Sequence, residues 1–250
     1  MRTVGIIGGM GPGATVLLMQ KIMAATSAHD DEGHVPLLVD QNTQVPSRLR
    51  HLLEHSGDDP GPVLAAMAVR LQGAGAQALA MPCNTAHHYA PAIRAAAHVP
   101  FLDMVALSVT EALRLAGPRR KIGILASPAV RRVGLFDTAF ADTGLTPVYA
   151  ADEGATLAAI RSLKAEGVND GARANLAAAS AELLERGASV QMIACTEFSL
   201  IPQAVAPGVV AFDTLDLLVH AIIAFATKTG TGHDKATQNS PQLRAIAPTS

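Results

Sequence analysis

The feature that most constrains this chain is a repeat within it. Gly75-Ala76 stands eight positions before Cys83, and Gly187-Ala188 stands eight positions before Cys195. Both segments read alike: a helix closes at Gly, an apolar strand follows, and a cysteine sits at the strand's C-terminal end, with a helix predicted to begin directly after it. Earlier in each half, Val4-Gly5-Ile6-Ile7-Gly8 is matched by Ile122-Gly123-Ile124-Leu125-Ala126. The cysteines are 112 residues apart, about the length of one small α/β domain. Two matching features in the same order point to two similar halves.

Between these landmarks, short apolar runs alternate with helix-period segments. Strands are predicted at 3–8, 36–40, 76–81, 100–102 and 121–126, and helices at 14–28, 62–71, 85–97, 106–115 and 214–227. The strands are apolar nearly throughout, as in sheets buried on both faces. This alternation predicts an α/β fold of two similar lobes, each a mainly parallel sheet flanked by helices, with a cleft between them. We place the N-terminal lobe at 1–103 plus a returning helix at 214–228, and the C-terminal lobe at 104–213. Residues 229–250, rich in Gly, Thr, Ser, Asn, Gln and Pro, read as a flexible tail.

Composition narrows the function. Of 250 residues 49% are hydrophobic and 16% charged, which supports a core and excludes wholesale disorder. A net charge of −2, 3% aromatic residues and no Trp argue against nucleic acid as a partner. No apolar run approaches 18 residues, so no membrane span is expected. Residues 1–9 lack a signal-peptide layout, so a cytoplasmic protein is expected. Its two cysteines, far apart in sequence, are then expected to be free thiols.

Ligands of open parallel sheets bind at the carboxyl ends of the strands. Both cysteines stand there, so two facing halves would present Cys83 and Cys195 to opposite walls of one cleft. A helix N-terminus beside each would lower its thiol pKa. Asn84, Thr85 and Thr196 suit helix caps, and equally suit holding a small carboxylate.

Three segments, Gly8-Gly9-Met10-Gly11-Pro12-Gly13-Ala14-Thr15, Pro82-Cys83-Asn84-Thr85-Ala86-His87 and Cys195-Thr196-Glu197, together resemble the aspartate/glutamate racemase family. Within it the likeness is greatest to the cofactor-independent aspartate racemases, over about residues 3–225. The resemblance implies two α/β lobes around the site and racemisation of an amino acid, aspartate or glutamate, with neither pyridoxal phosphate nor metal. One cysteine as thiolate takes the α-proton and the other as thiol returns one to the opposite face. A reversible reaction suits two groups of one chemical type straddling one carbon. The resemblance further assigns Asn84, Thr85 and Thr196 to the substrate's α-carboxylate or ammonium, Met10 to the cleft floor, and Glu197 to the ammonium or to a cysteine. Arg48, in the loop 42–48 that includes Gln44, and Lys164 are suited to a second carboxylate. It also implies a homodimer. Two departures bear on specificity. Ser47 stands where the family often has Asp, and residues 126–130 replace a more polar turn, leaving Ser127 as its hydroxyl.

Competing readings remain at this stage. The turn Gly9-Met10-Gly11-Pro12-Gly13-Ala14, followed by Asp40 at the end of the second strand, satisfies a dinucleotide pattern and suggests an NAD-dependent oxidoreductase. Pro12, however, removes one N–H from such a cradle. Cys83 and His87, four apart, suggest zinc ligands, although no fourth ligand is evident. A two-lobed protein that only binds a small amino acid or carboxylate is the non-enzymatic reading.

Overall fold

The computed structural model describes residues 1–118 and 120–228; the proposed tail at 229–250 lies outside them. The elements run β1 (Val4–Gly8), α1 (Pro12–Ala25), β2 (Leu37–Gln41), α2 (Arg48–Leu53), α3 (Gly61–Gly73), β3 (Ala78–Ala80), α4 (Ala90–Ala96), β4 (Phe101–Leu102) and α5 (Met104–Leu115). They continue with β5 (Lys121–Leu125), α6 (Pro128–Arg132), α7 (Leu135–Phe140), β6 (Thr146–Tyr149), α8 (Glu153–Glu166), α9 (Asp170–Glu185), β7 (Val190–Ile193), β8 (Val210–Asp213) and α10 (Thr214–Thr227).

Two parallel four-stranded sheets result, ordered β2-β1-β3-β4 and β6-β5-β7-β8. The order is the same in each, so the repeat seen in sequence is a repeat in space. Ile6 of β1 lies between Val39 and Ala80, and Ile124 of β5 between Tyr149 and Met192. The central strands are buried over almost their whole length, which is why they read as continuous apolar runs.

Helices fill both faces. The last helix, α10, crosses back to the first sheet, where Leu215, Leu218, Val219 and Ile222 pack with Val4, Ile6 and Leu18. Each such side chain, fully buried, contributes about 1.5–3 kcal/mol. The other face of that sheet is covered by α3 and α4, and this core reaches Ala129 and Val133 beyond β5. α2 also packs on α6. The two halves therefore share packing on both sides of the cleft.

Several boundaries depart from the sequence reading. α1 starts at Pro12, two residues early, because proline fits the first turn, where no N–H is needed. α2 falls in a stretch read as loop; the Ser47 hydroxyl caps it by accepting from the Arg50 N–H. The helix expected at 85–97 is instead a 3-10 segment, Thr85–Tyr89, followed by α4. Pro91 in the first turn of α4 can only begin a helix. After Cys195 no long helix begins: there are two short 3-10 turns, Phe198–Leu200 and Pro202–Ala204.

One glycine is required by a close approach. Gly9 has φ +91°, and a Cβ on it would lie 2.4 Å from the Asn42 carbonyl. Only glycine adopts that backbone without strain. The turn after β1 can thus lie against the loop after β2, which leads into Arg48.

Candidate active site

The carboxyl ends of β1, β3, β5 and β7 converge on one small cavity between the sheets. Its walls are Met10 after β1, Cys83 and Thr85 after β3, Ser127 after β5, and Cys195 and Glu197 after β7. Ser47, Arg48 and Leu49 of the α2 start and Ile160 and Lys164 of α8 complete it. The cavity holds about 50 Å³, room for roughly three to five water-sized positions. Cys83 and Cys195 are both free and buried.

Each cysteine has its own support. The carbonyl of Cys83 accepts from His87 Nδ1 at 2.8 Å, while His87 Nε2 accepts from the Met104 N–H at 3.1 Å. Burial lowers the His87 pKa, so the ring is neutral and both its nitrogens are committed. That removes the zinc reading of Cys83 and His87, since neither nitrogen is left for a metal. In the second half, Ser199 stands at the same offset from Cys195. Its hydroxyl donates to Asp213 at 2.8 Å.

The thiol of Cys195 donates to Glu197 Oε2 at 3.0 Å. Burial, then the Glu197 charge and this hydrogen bond, push the Cys195 pKa well up; Lys164 pulls the other way and is outweighed. The expected lowering by a helix N-terminus is therefore corrected for Cys195. The turn that follows is a short 3-10 segment with little dipole, and the Glu197 carboxylate outweighs the backbone N–H of Glu197 that also faces the sulfur.

Glu197 Oε1 lies 3.2 Å from Lys164 Nζ. The geometry is that of an ion pair without a directed hydrogen bond, and Oε1 has no hydrogen-bond partner among the described residues. Burial pulls the Lys164 pKa down, but Glu197 and the two cysteines together raise it, so the side chain stays cationic. Arg48 spends Nη1 on the carbonyls of Pro46 at 3.1 Å and Val45 at 3.4 Å. Its buried Nε has no partner among the described residues.

Of the residues singled out in sequence, Met10, Arg48, Cys83, Thr85, Ser127, Lys164, Cys195 and Glu197 meet at the cavity. Gln44, Asn84 and Thr196 do not line it. Gln44 is exposed and bonded to Thr43. Asn84 is buried, and its Nδ2 donates to Thr214 Oγ1 at 2.9 Å. It makes no side-chain cap, and Thr196 is buried behind the wall. Leu49 and Ile160 were not anticipated; Ile160 is one turn before Lys164 on α8 and shares its face.

The nucleotide reading finds no cradle. The Gly9 N–H donates to Thr15 Oγ1 at 3.0 Å. A Cβ on Gly11 would lie 3.3 Å from the Glu197 carboxylate, which would repel a pyrophosphate placed at this turn. Asp40 is paired with Arg70 at 2.7 Å.

Comparison with known proteins fits this geometry. The family model described as Asp/Glu/Hydantoin racemase matches residues 7–222. The chain belongs to the Asp/Glu/hydantoin racemase family. Among solved structures of this fold, an aspartate racemase from Picrophilus torridus superposes with a TM-score of 0.75 and 25% identity, over 90% of this chain and 94% of that one. A glutamate racemase from Bacillus anthracis gives 0.64 at 15% identity, over 90% and 80%. Among curated proteins, the broad specificity amino-acid racemase RacX of Bacillus subtilis is 24% identical over 150 residues, 58% of this chain. The match spans 63% of that relative's length. No helix among the described residues is long and apolar enough to cross a membrane.

Proposed function

We propose that this family member racemises a small amino acid with an acidic side chain, aspartate or glutamate, by passing the α-proton between Cys83 and Cys195. The observation that carries this reading is that both thiols, from equivalent strand ends of the two halves, face one cavity of amino-acid scale.

In the resting enzyme Cys195 keeps its proton, held by Glu197, and Cys83 is the base that opens the reaction. As Cys83 takes the α-proton from one face, the Cys195 thiol delivers one to the other. Until that delivery the Glu197 charge keeps a second thiolate from forming; the delivery breaks the Cys195–Glu197 hydrogen bond and leaves the single negative charge on Cys195, where Lys164 offsets it. The reverse reaction exchanges the two roles.

The carbanion needs its negative charge stabilised on the substrate carboxylate. The Thr85 and Ser127 hydroxyls, which line the cavity, supply donors there. Glu197 Oε1, with acceptor capacity left, suits the substrate ammonium. Arg48 and Lys164 favour a second carboxylate on the substrate. The buried setting limits water and strengthens each of these interactions.

The test is α-proton exchange in deuterated water over a panel of L- and D-amino acids. Exchange and inversion concentrated on aspartate or glutamate are expected. Binding of these acids without exchange would favour the purely binding reading.

A further inference from the structure

One buried polar chain crosses between the halves directly behind the cysteines. Asn84, the residue after Cys83, donates from Nδ2 to Thr214 Oγ1 at 2.9 Å. The same hydroxyl donates to the carbonyl of Ile193 at 3.0 Å. Ile193 ends β7, and only Ala194 separates it from Cys195. Asn84 is 2% exposed and Thr214 0% exposed, so no water competes for these groups. We propose that Thr214 is a positioning residue: its hydroxyl ties the two cysteine-bearing strand ends together and sets their spacing across the cavity.

Three observations support this. First, Thr214 opens α10, which is anchored on the first sheet by its apolar face. Thr214 therefore joins β8, which pairs with β7 at Ile193, to a helix fixed on the first sheet, and its bond from Asn84 carries the tie across to the other half. Second, the tie is one-sided. Asp213 caps α10 as Asp103 caps α5, yet the residue after Asp103 is Met104, which has no hydroxyl. α5 crosses to the second sheet as α10 crosses to the first, so a hydroxyl at this position is not a general requirement of the fold. Third, it accounts for Asn84. Its side chain is turned away from the cavity because its amide is used at Thr214. Its Oδ1 is left without a partner among the described residues.

The inference rests on the reading of Cys83 and Cys195 as the acid–base pair, and its test separates the two. Thr214→Val keeps shape and removes the hydroxyl; Thr214→Ser keeps the hydroxyl. Each is followed in deuterated water by two signals: inversion, and deuterium appearing in recovered, uninverted substrate. With the spacing disturbed, a proton taken by one cysteine is more often replaced from the same side. Thr214→Val is thus expected to lower kcat for inversion about 10- to 100-fold, to leave KM within about twofold, and to raise deuterium in recovered substrate relative to inversion. Thr214→Ser is expected to restore the wild-type ratio. Asn84→Ala breaks the same bond from its other end and serves if Thr214→Val does not fold; the same change in ratio is expected. Equal loss of exchange and inversion, or no change in either, would overturn the positioning role while leaving the racemase reading intact. A wild-type protein that exchanges no amino acid would overturn the reading on which both depend.

Discussion

Asp213 ends β8 and caps α10, with Oδ1 accepting from the Leu215 N–H and from Ser199 Oγ, each at 2.8 Å. Oδ2 is buried and has no partner among the described residues. Burial, with a smaller contribution from Asp216, holds its pKa at about 6 against an ordinary 3.8, despite these hydrogen bonds and Lys21. Between those two pH values the folded protein keeps a proton on Asp213 that the unfolded chain has lost. Stability from this group is therefore fully present below about pH 4 and is lost as pH rises through about 6. A difference of about two pH units corresponds to about 3 kcal/mol. Asn caps a helix about as well as Asp, and Asp213→Asn removes the titration. Other carboxylates cancel when variant and wild type are compared at each pH. The variant is expected to match the wild type within about 1 kcal/mol at pH 4. By pH 7.5 it should be more stable by about 3 kcal/mol, or about 6–12 °C in Tm. Urea unfolding at several pH values provides the assay. A gap between variant and wild type that stays constant from pH 4 to 7.5 would refute the reasoning.

Other expectations bear on the site. Cys83→Ser and Cys195→Ser should each lower racemisation by at least about 100-fold with the fold intact by circular dichroism. Glu197→Gln removes a charge that, with burial, holds the Cys195 proton. Thiolate absorbance at Cys195 should then appear at lower pH, and iodoacetamide should label it faster at pH 8. Lys164→Met should raise KM for a dicarboxylic substrate about 10- to 100-fold, the worth of a charged hydrogen bond. Neutral amino acids should be affected much less; an equal effect on both would place Lys164 at the α-carboxylate. Gly9→Ala should cost about 1–3 kcal/mol in thermal unfolding from positive φ alone, before the clash with Asn42 adds to it.

The fold and the two sulfurs were legible because duplication and buried parallel strands leave long-range marks in a single chain: the Gly-Ala spacing before each cysteine, and the apolar runs of β1 and β5. The α-helices expected directly after the cysteines were not. Pro91 and Pro202 set where helical turns can start, and that choice depends on how each turn packs. The site's cations were named through family resemblance, but the pairing of Lys164 with Glu197 depends on the register of α8 against the end of β7, which no local pattern encodes. Asn84 looked like a ligand-holding residue because a short amide at a strand end can point either way. Its direction is decided by Thr214, 130 residues later. Leu49 and Ile160 carry no chemical signature that separates a cavity wall from core.

The most direct test of the central claim is the early time course of L-aspartate, and then L-glutamate, in deuterated water with wild-type enzyme. Two thiols on opposite faces of one carbon predict deuterium in the inverted product from the first turnovers, with recovered substrate still carrying protium. Equal deuterium in both enantiomers from the outset would mean that a single group serves both faces, and would contradict the account.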